Sequence, residues 1–124
     1  MANITESIQQ AMQLKGIIGV AIVDIESGMC LGMATTQTEF DMELAAAGTT
    51  EVVKAELQLK ELLQLANPVE DILITVDKQY HVIRVFQHQP ALFMYAVLHR
   101  DTGSLPLARL EFRRLEREFV MNGQ

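Results

Sequence analysis

The sequence predicts an α+β fold: a five-stranded, mostly antiparallel sheet with one long helix on one face and two terminal helices on the other. Three observations lead there. Hydrophobic periodicity reads as α-β-β-α-β-β-β-α along the chain. Every strand-to-strand link is short, so hairpins dominate. The strands are apolar on both faces and therefore need cover on both. The length of 124 residues, with 49 % apolar residues, suits a single domain over 1–124 with one full core.

The first helix is expected from about Ile4 to Lys15. Asn3 and Glu6 have capping-box spacing, Ile4, Ile8, Ala11 and Met12 share a face, and Gly16 is a natural stop. Gly19 to Ile25 reads as a central strand, Ser27-Gly28 as a turn, and Met29 to Thr35 as the hairpin partner. Phe40 to Leu65 is the long helix, ended by Asn67-Pro68. Its broad apolar stripe, Leu44, Gly48, Val52, Ala55, Leu59, Leu62 and Ala66, is expected to face the sheet. A weaker row, Ala46, Val53 and Leu57, lies nearly opposite and is left for another partner.

Three strands follow, Asp71 to Val76, Tyr80 to Phe86 and Leu92 to His99, with Asp77-Lys78-Gln79 as a tight turn and Pro90 in a longer one. Ser104 caps the last helix, which tolerates Pro106 in its first turn and runs to about Met121. Leu105, Ala108, Phe112, Leu115 and Phe119 form its buried stripe.

Composition narrows the function. Sixteen acids against ten bases give a net charge of −6, which argues against a nucleic-acid binder. A single cysteine, Cys30, excludes an intrachain disulfide and a cysteine-rich zinc site. No apolar run reaches membrane-spanning length, and the start of the chain lacks the basic opening of a signal peptide, so a cytoplasmic setting is expected.

No catalytic constellation, metal site or cofactor motif assembles. There is no phosphate-binding glycine loop and no nucleophile elbow. His81 and His99 fall on neighbouring strands and His88 in a loop, with no third ligand at zinc spacing. Cys30 reads as a packed thiol. Arg109, Arg113, Arg114 and Arg117 alternate with Glu111, Glu116 and Glu118, the pattern of a solvated salt-bridge face. What remains is a small scaffold suited to protein–protein contact.

Three segments of this scaffold carry a family resemblance: Gly16-Ile-Ile-Gly-Val-Ala-Ile-Val-Asp-Ile-Glu-Ser-Gly28, Ala46-Ala-Gly-Thr-Thr-Glu-Val-Val-Lys-Ala55, and the run from Asp71-Ile-Leu-Ile-Thr-Val76 through Tyr80-His-Val-Ile-Arg84 and Leu92–Leu98 to Ser104–Leu110. In order and spacing the chain resembles the Roadblock family, the small dynein-light-chain-type domain also widespread in bacteria. One departure stands out. Bacterial members often have Asn-Leu followed by Gly or Ala where this chain has Ser104-Leu105-Pro106.

The resemblance implies a homodimer in which the edge strand pairs with its copy and the two long helices lie side by side. The implied interface is Ala46, Thr49, Thr50, Val53 and Leu57 on the helix, with Asp71, Ile72, Leu73, Ile74 and Thr75 on the strand. Ile74 is expected to offer an edge donor. Family members are non-catalytic regulators and scaffolds. Some bacterial ones, MglB among them, bind a Ras-like GTPase and accelerate its hydrolysis without donating an arginine. The resemblance therefore implies a homodimeric regulator or scaffold of a small Ras-like GTPase, with no cofactor, no nucleic acid and no membrane span. A small-ligand sensor of α/β type, with a pocket between sheet and helix, is the alternative.

Overall fold

A computed structural model describes residues 1–121. Its elements are α1 (Ile4–Ala11), β1 (Ile17–Asp24), β2 (Cys30–Thr35), α2 (Met42–Leu62), β3 (Asp71–Val76), β4 (Gln79–Val85), β5 (Leu92–His99) and α3 (Leu105–Glu118). The strands form one antiparallel sheet in the order β2-β1-β5-β4-β3, so the two hairpins sit at the edges and β5 joins them through β1 and β4.

The sheet is covered on both faces, as the two-sided apolar strands require. Val20, Ile22, Val82, Met94 and Ala96 pack against Ile8 and Ala11 of α1 and Ala108, Phe112 and Leu115 of α3. Ile18, Ala21, Ile83, Phe93, Tyr95 and Val97 pack against Met42, Ala46 and Val53 of α2. β1 and β5 are the middle of this sandwich and are buried along nearly their whole length.

The caps expected at Asn3 and Ser104 form, and α2 adds one at Asp41. The Asn3 side chain accepts from the Glu6 N–H at 2.9 Å while Glu6 Oε1 accepts from the Asn3 N–H at 3.0 Å. Asp41 accepts from the Leu44 N–H at 3.0 Å, and Ser104 from the Leu107 N–H at 3.3 Å.

Each helix ends earlier than periodicity predicts, for a local reason. α1 stops at Ala11 rather than Lys15 because Gln13 and Leu14 bond three residues back, tightening the last turn. The chain then turns through Gly16 at φ +82, where a side chain would collide with the Gly103 backbone at 2.6 Å. α2 stops at Leu62 rather than Leu65. Gln64 takes the left-handed conformation, and Leu65 and Gln64 donate to the carbonyls of Lys60 and Glu61, a Schellman closure. α3 stops at Glu118 because Ala2 pairs with Phe119, donating to the Glu118 carbonyl and accepting from Val120. The β3–β4 turn is the two residues Asp77-Lys78, with Asp77 left-handed and Gln79 already in β4.

Candidate interaction surfaces: an open sheet edge and the outer face of the long helix

β3 is an edge strand whose free side has a defined chemistry. Val85 donates to the Glu70 carbonyl, which makes Asp71–Arg84 a non-hydrogen-bonded pair. By alternation, Ile72, Ile74 and Val76 exchange bonds with β4, while Asp71, Leu73 and Thr75 turn N–H and C=O outward. Ile74 therefore offers no edge donor; its N–H belongs to the ladder opposite His81. Ile72 and Ile74 lie half-buried on the α2 face, and Leu73 and Thr75 are exposed on the other. Asp71 is held by Arg109 of α3, whose Nε donates to Oδ2 at 3.1 Å.

The long helix is turned the other way from the sequence expectation. Ala46, Thr49, Thr50 and Val53 are buried against the sheet, and Leu57 is half-buried against the same core. The stripe expected inside, Leu44, Gly48, Val52, Ala55, Leu59, Leu62 and Ala66, faces outward. Size decides this. The sheet beneath α2 already carries Tyr95, Phe93 and Ile83, all fully buried, so the middle of the helix above them is filled by the small and β-branched Ala46, Thr49, Thr50 and Val53, with Met42 and Leu57 toward its ends. Thr50 uses its hydroxyl on the Ala46 carbonyl at 2.7 Å, which removes a polar cost from the inner face. Leucines in the middle of that face would overfill it, and Leu44, Leu59 and Leu62 are left outside. The outcome is an apolar helix face left open to solvent.

His81 and His99 each have their own partner. His81 and His99 share the α2 face on adjacent strands, as expected. His81 Nε2 donates to Gln79 Oε1 at 2.9 Å, and Nδ1 lies 2.8 Å from the Tyr95 hydroxyl, which donates to it when the ring is neutral. Burial holds the His81 pKa below its ordinary value, and it pushes that of Tyr95 up, partly offset by a Thr49 hydrogen bond. Gln37 donates to His99 Nε2 at 3.2 Å, and His88 is exposed in the β4–β5 loop. Cys30 is half-buried on β2, its thiol pKa raised by burial and then by Glu43. Among the described residues no three His, Cys, Asp or Glu side chains gather around a metal-sized space.

The arginine-rich helix is a salt-bridge face only in part. Arg114 bonds Glu111 at 2.7 Å and Glu118 at 3.2 Å, which hold its pKa above the ordinary value. Glu116 instead turns inward. It is buried and accepts from Arg84 Nε of β4 at 2.8 Å and from the Gln87 N–H, locking α3 to the sheet. Sequence spacing alone did not reveal that pair, because Arg84 is 32 residues away.

A cleft of about 370 Å3 lies between the C-terminal half of α2 and the sheet, lined by Leu57, Lys60, Val69, Val85, Phe86 and Pro90 among others. It is open to solvent rather than enclosed. No helix among the described residues is long and apolar enough to cross a membrane.

No family model matches the chain, and no curated protein matches its sequence. Solved structures match its architecture. MglB of Myxococcus xanthus is 20 % identical, with a TM-score of 0.72 over 90 % of this chain and 84 % of that one. A Roadblock/LC7 domain from Streptomyces avermitilis is 7 % identical, with a TM-score of 0.78 over 94 % of both chains. The gliding protein MglB from Thermus thermophilus is 13 % identical, with a TM-score of 0.75 over 90 % of this chain and 82 % of that one. Identities this low establish the fold: the chain has a Roadblock-type, MglB-like architecture.

Proposed function

We propose that this chain is a non-catalytic, homodimeric regulator or scaffold for a small Ras-like GTPase, acting as one domain in the cytoplasm. The observation that carries this reading is the open β3 edge, together with an unpartnered apolar row on α2, on a fold shared with MglB. The outward groups of Leu73 and Thr75 pair with their copies across a two-fold axis, which continues the sheet and removes an edge. The α2 contribution to that dimer is the row Leu44, Val52, Leu59 and Leu62, in place of Ala46, Thr49, Thr50 and Val53.

The test has two parts. Light scattering at micromolar concentration gives twice the chain mass, and a monomer refutes the dimer. Immobilised dimer, shown to be folded, retains a Ras-like GTPase from native lysate preferentially with a GTP analogue over GDP. Purified together, the two are then compared with the GTPase alone in hydrolysis. Faster hydrolysis makes the chain an activator, an unchanged rate makes it a scaffold, and no retained GTPase in either nucleotide state refutes the reading.

A further inference from the structure

The sheet has a second edge, and the β3 dimer leaves it free. Thr36 donates to the Ile18 carbonyl, so by alternation Gly32 and Ala34 turn their N–H groups toward β1, while Met33 and Thr35 turn theirs to solvent. A bulge disturbs the ladder between Ile22 and Val23, but Gly32 to Thr35 stay in regular register. From Cys30 to Thr35 there is neither a charge nor a proline, the usual devices that blunt an edge.

α1 lies across this strand. A Cβ on Gly32 would meet Ile4 Cγ2 at 2.6 Å and Ile8 Cδ1 at 2.8 Å, so glycine is what lets the helix sit there. Between helix and strand runs a groove of about 250 Å3, walled by Ile4, Ile8 and Gln9 on one side and Leu31, Met33 and Ala34 on the other. An edge strand beside a helix-walled apolar groove suits an added strand. The free backbone supplies hydrogen bonds, and the groove takes every second side chain.

Charge selects the occupant. Residues 1–14 and 24–43, which include α1, β2 and the segments that flank β2, hold Glu6, Asp24, Glu26, Glu39, Asp41 and Glu43 and no lysine or arginine. Lys54 of α2 reaches the Glu26 carbonyl at 3.2 Å, at the turn end only. A second copy docking β2 on β2 in antiparallel register would set the Glu26 end of one chain beside the Glu39–Glu43 end of the other, carboxylates facing carboxylates. We propose that β2 accepts an extended strand from an unlike protein partner, with small or branched apolar side chains at alternate positions and lysine or arginine at its ends.

The proposal is tested by amide hydrogen exchange on the full-length protein. The probe is a synthetic strand peptide, Lys-Lys-Val-Thr-Val-Thr-Val-Lys-Lys. Controls are the same strand with glutamates for lysines, and one N-methylated at alternate residues. With the lysine peptide at ten times its dissociation constant, outward amides that exchange only from the free state slow about elevenfold. That slowing is expected at Met33 and Thr35. The N-methylated peptide gives none, and the glutamate peptide needs at least tenfold more peptide for the same effect at low salt. Met33→Pro, which removes only an outward N–H, keeps the circular dichroism spectrum and loses the protection. Four results overturn the proposal: no protection by the lysine peptide at millimolar concentration, protection of β3 in place of β2, equal protection by the glutamate peptide, or retained protection in folded Met33→Pro. Protection of Met33 and Thr35 that grows with protein concentration alone would make the occupant a second copy and refute the unlike partner. Protection at Met33 and Thr35, or its loss, depends neither on the β3 dimer nor on a GTPase.

Discussion

Val53 and Leu59 lie six residues apart on α2, about 120° apart around its axis, and the orientation of that helix predicts opposite behaviour for them. Val53 is fully buried against the sheet, while Leu59 retains 44 % of its exposure. Val53→Ala removes two buried methyl groups, worth about 1.6 kcal/mol at 0.8 per carbon and about 3 kcal/mol once the residual cavity is included. Leu59→Asp leaves the core untouched. In the proposed dimer it forfeits about 1 kcal/mol of burial per protomer, or about 2 per dimer, raising the dissociation constant about thirtyfold before carboxylate desolvation is counted. Leu44 and Leu62 are 70 % and 74 % exposed, so the three leucines together hold about two leucines' worth of open surface. Burying it in both chains yields about 6–12 kcal/mol, comparable to the cost of association, about 4–15 kcal/mol; strand pairing at β3 is therefore needed as well. Urea unfolding at several protein concentrations separates the cases, because a dimer makes the midpoint concentration-dependent. Val53→Ala lowers the midpoint at every concentration, by about 1–2 M for an ordinary m-value. Leu59→Asp abolishes the concentration dependence. If Val53→Ala changes nothing while Leu59→Asp destabilises equally at all concentrations, the faces have been assigned the wrong way round.

Four further substitutions probe the edge, the histidine and the buried ion pair. Thr75→Pro removes an outward N–H and is expected to give a folded monomer by light scattering, whereas Ile74→Pro breaks a ladder bond to β4 and costs about 1–3 kcal/mol of stability in either state. His81 is neutral in the fold, its pKa depressed by burial, so below pH 6.5 the unfolded chain binds more protons than the folded one. Its contribution to stability is complete above that pH and is lost as pH falls toward the depressed folded value; urea midpoints measured from pH 7.5 to 5 should show that slope, and His81→Gln should flatten it. Glu116→Ala leaves the Arg84 guanidinium buried with only the more distant Glu70 carboxylate at 3.8 Å and is expected to cost about 3–5 kcal/mol by chemical denaturation.

Much of the architecture was legible because it is written in short-range patterns. Asn3 and Glu6 announce a capping box that forms atom for atom, and Ser104 caps α3 as its position suggests. The span Leu92–His99, apolar on both faces, is a fully sandwiched strand. Helix ends were less legible. The stop at Gln64 depends on a non-glycine residue taking a left-handed conformation, and the stop at Glu118 on a pairing with Ala2 at the far end of the chain. Of the proposed interface, the edge strand Asp71–Thr75 was placed correctly on the sheet margin, but which of its amides point outward required the register with β4.

The sequence by itself determined the order of elements, their approximate spans and the two-sided cover of the sheet. Each follows from the spacing of apolar and polar residues within a few turns or strands. Only the tertiary structure decided which row of α2 meets the sheet and that Glu116 turns inward to Arg84. The two rows of α2 are both apolar, so periodicity does not choose between them. The choice rests on volume: Tyr95, Phe93 and Ile83 fill the space beneath the helix, and that space is set by strands far along the chain. Glu116 is the same kind of case, a polar group whose partner is defined by packing and not by spacing.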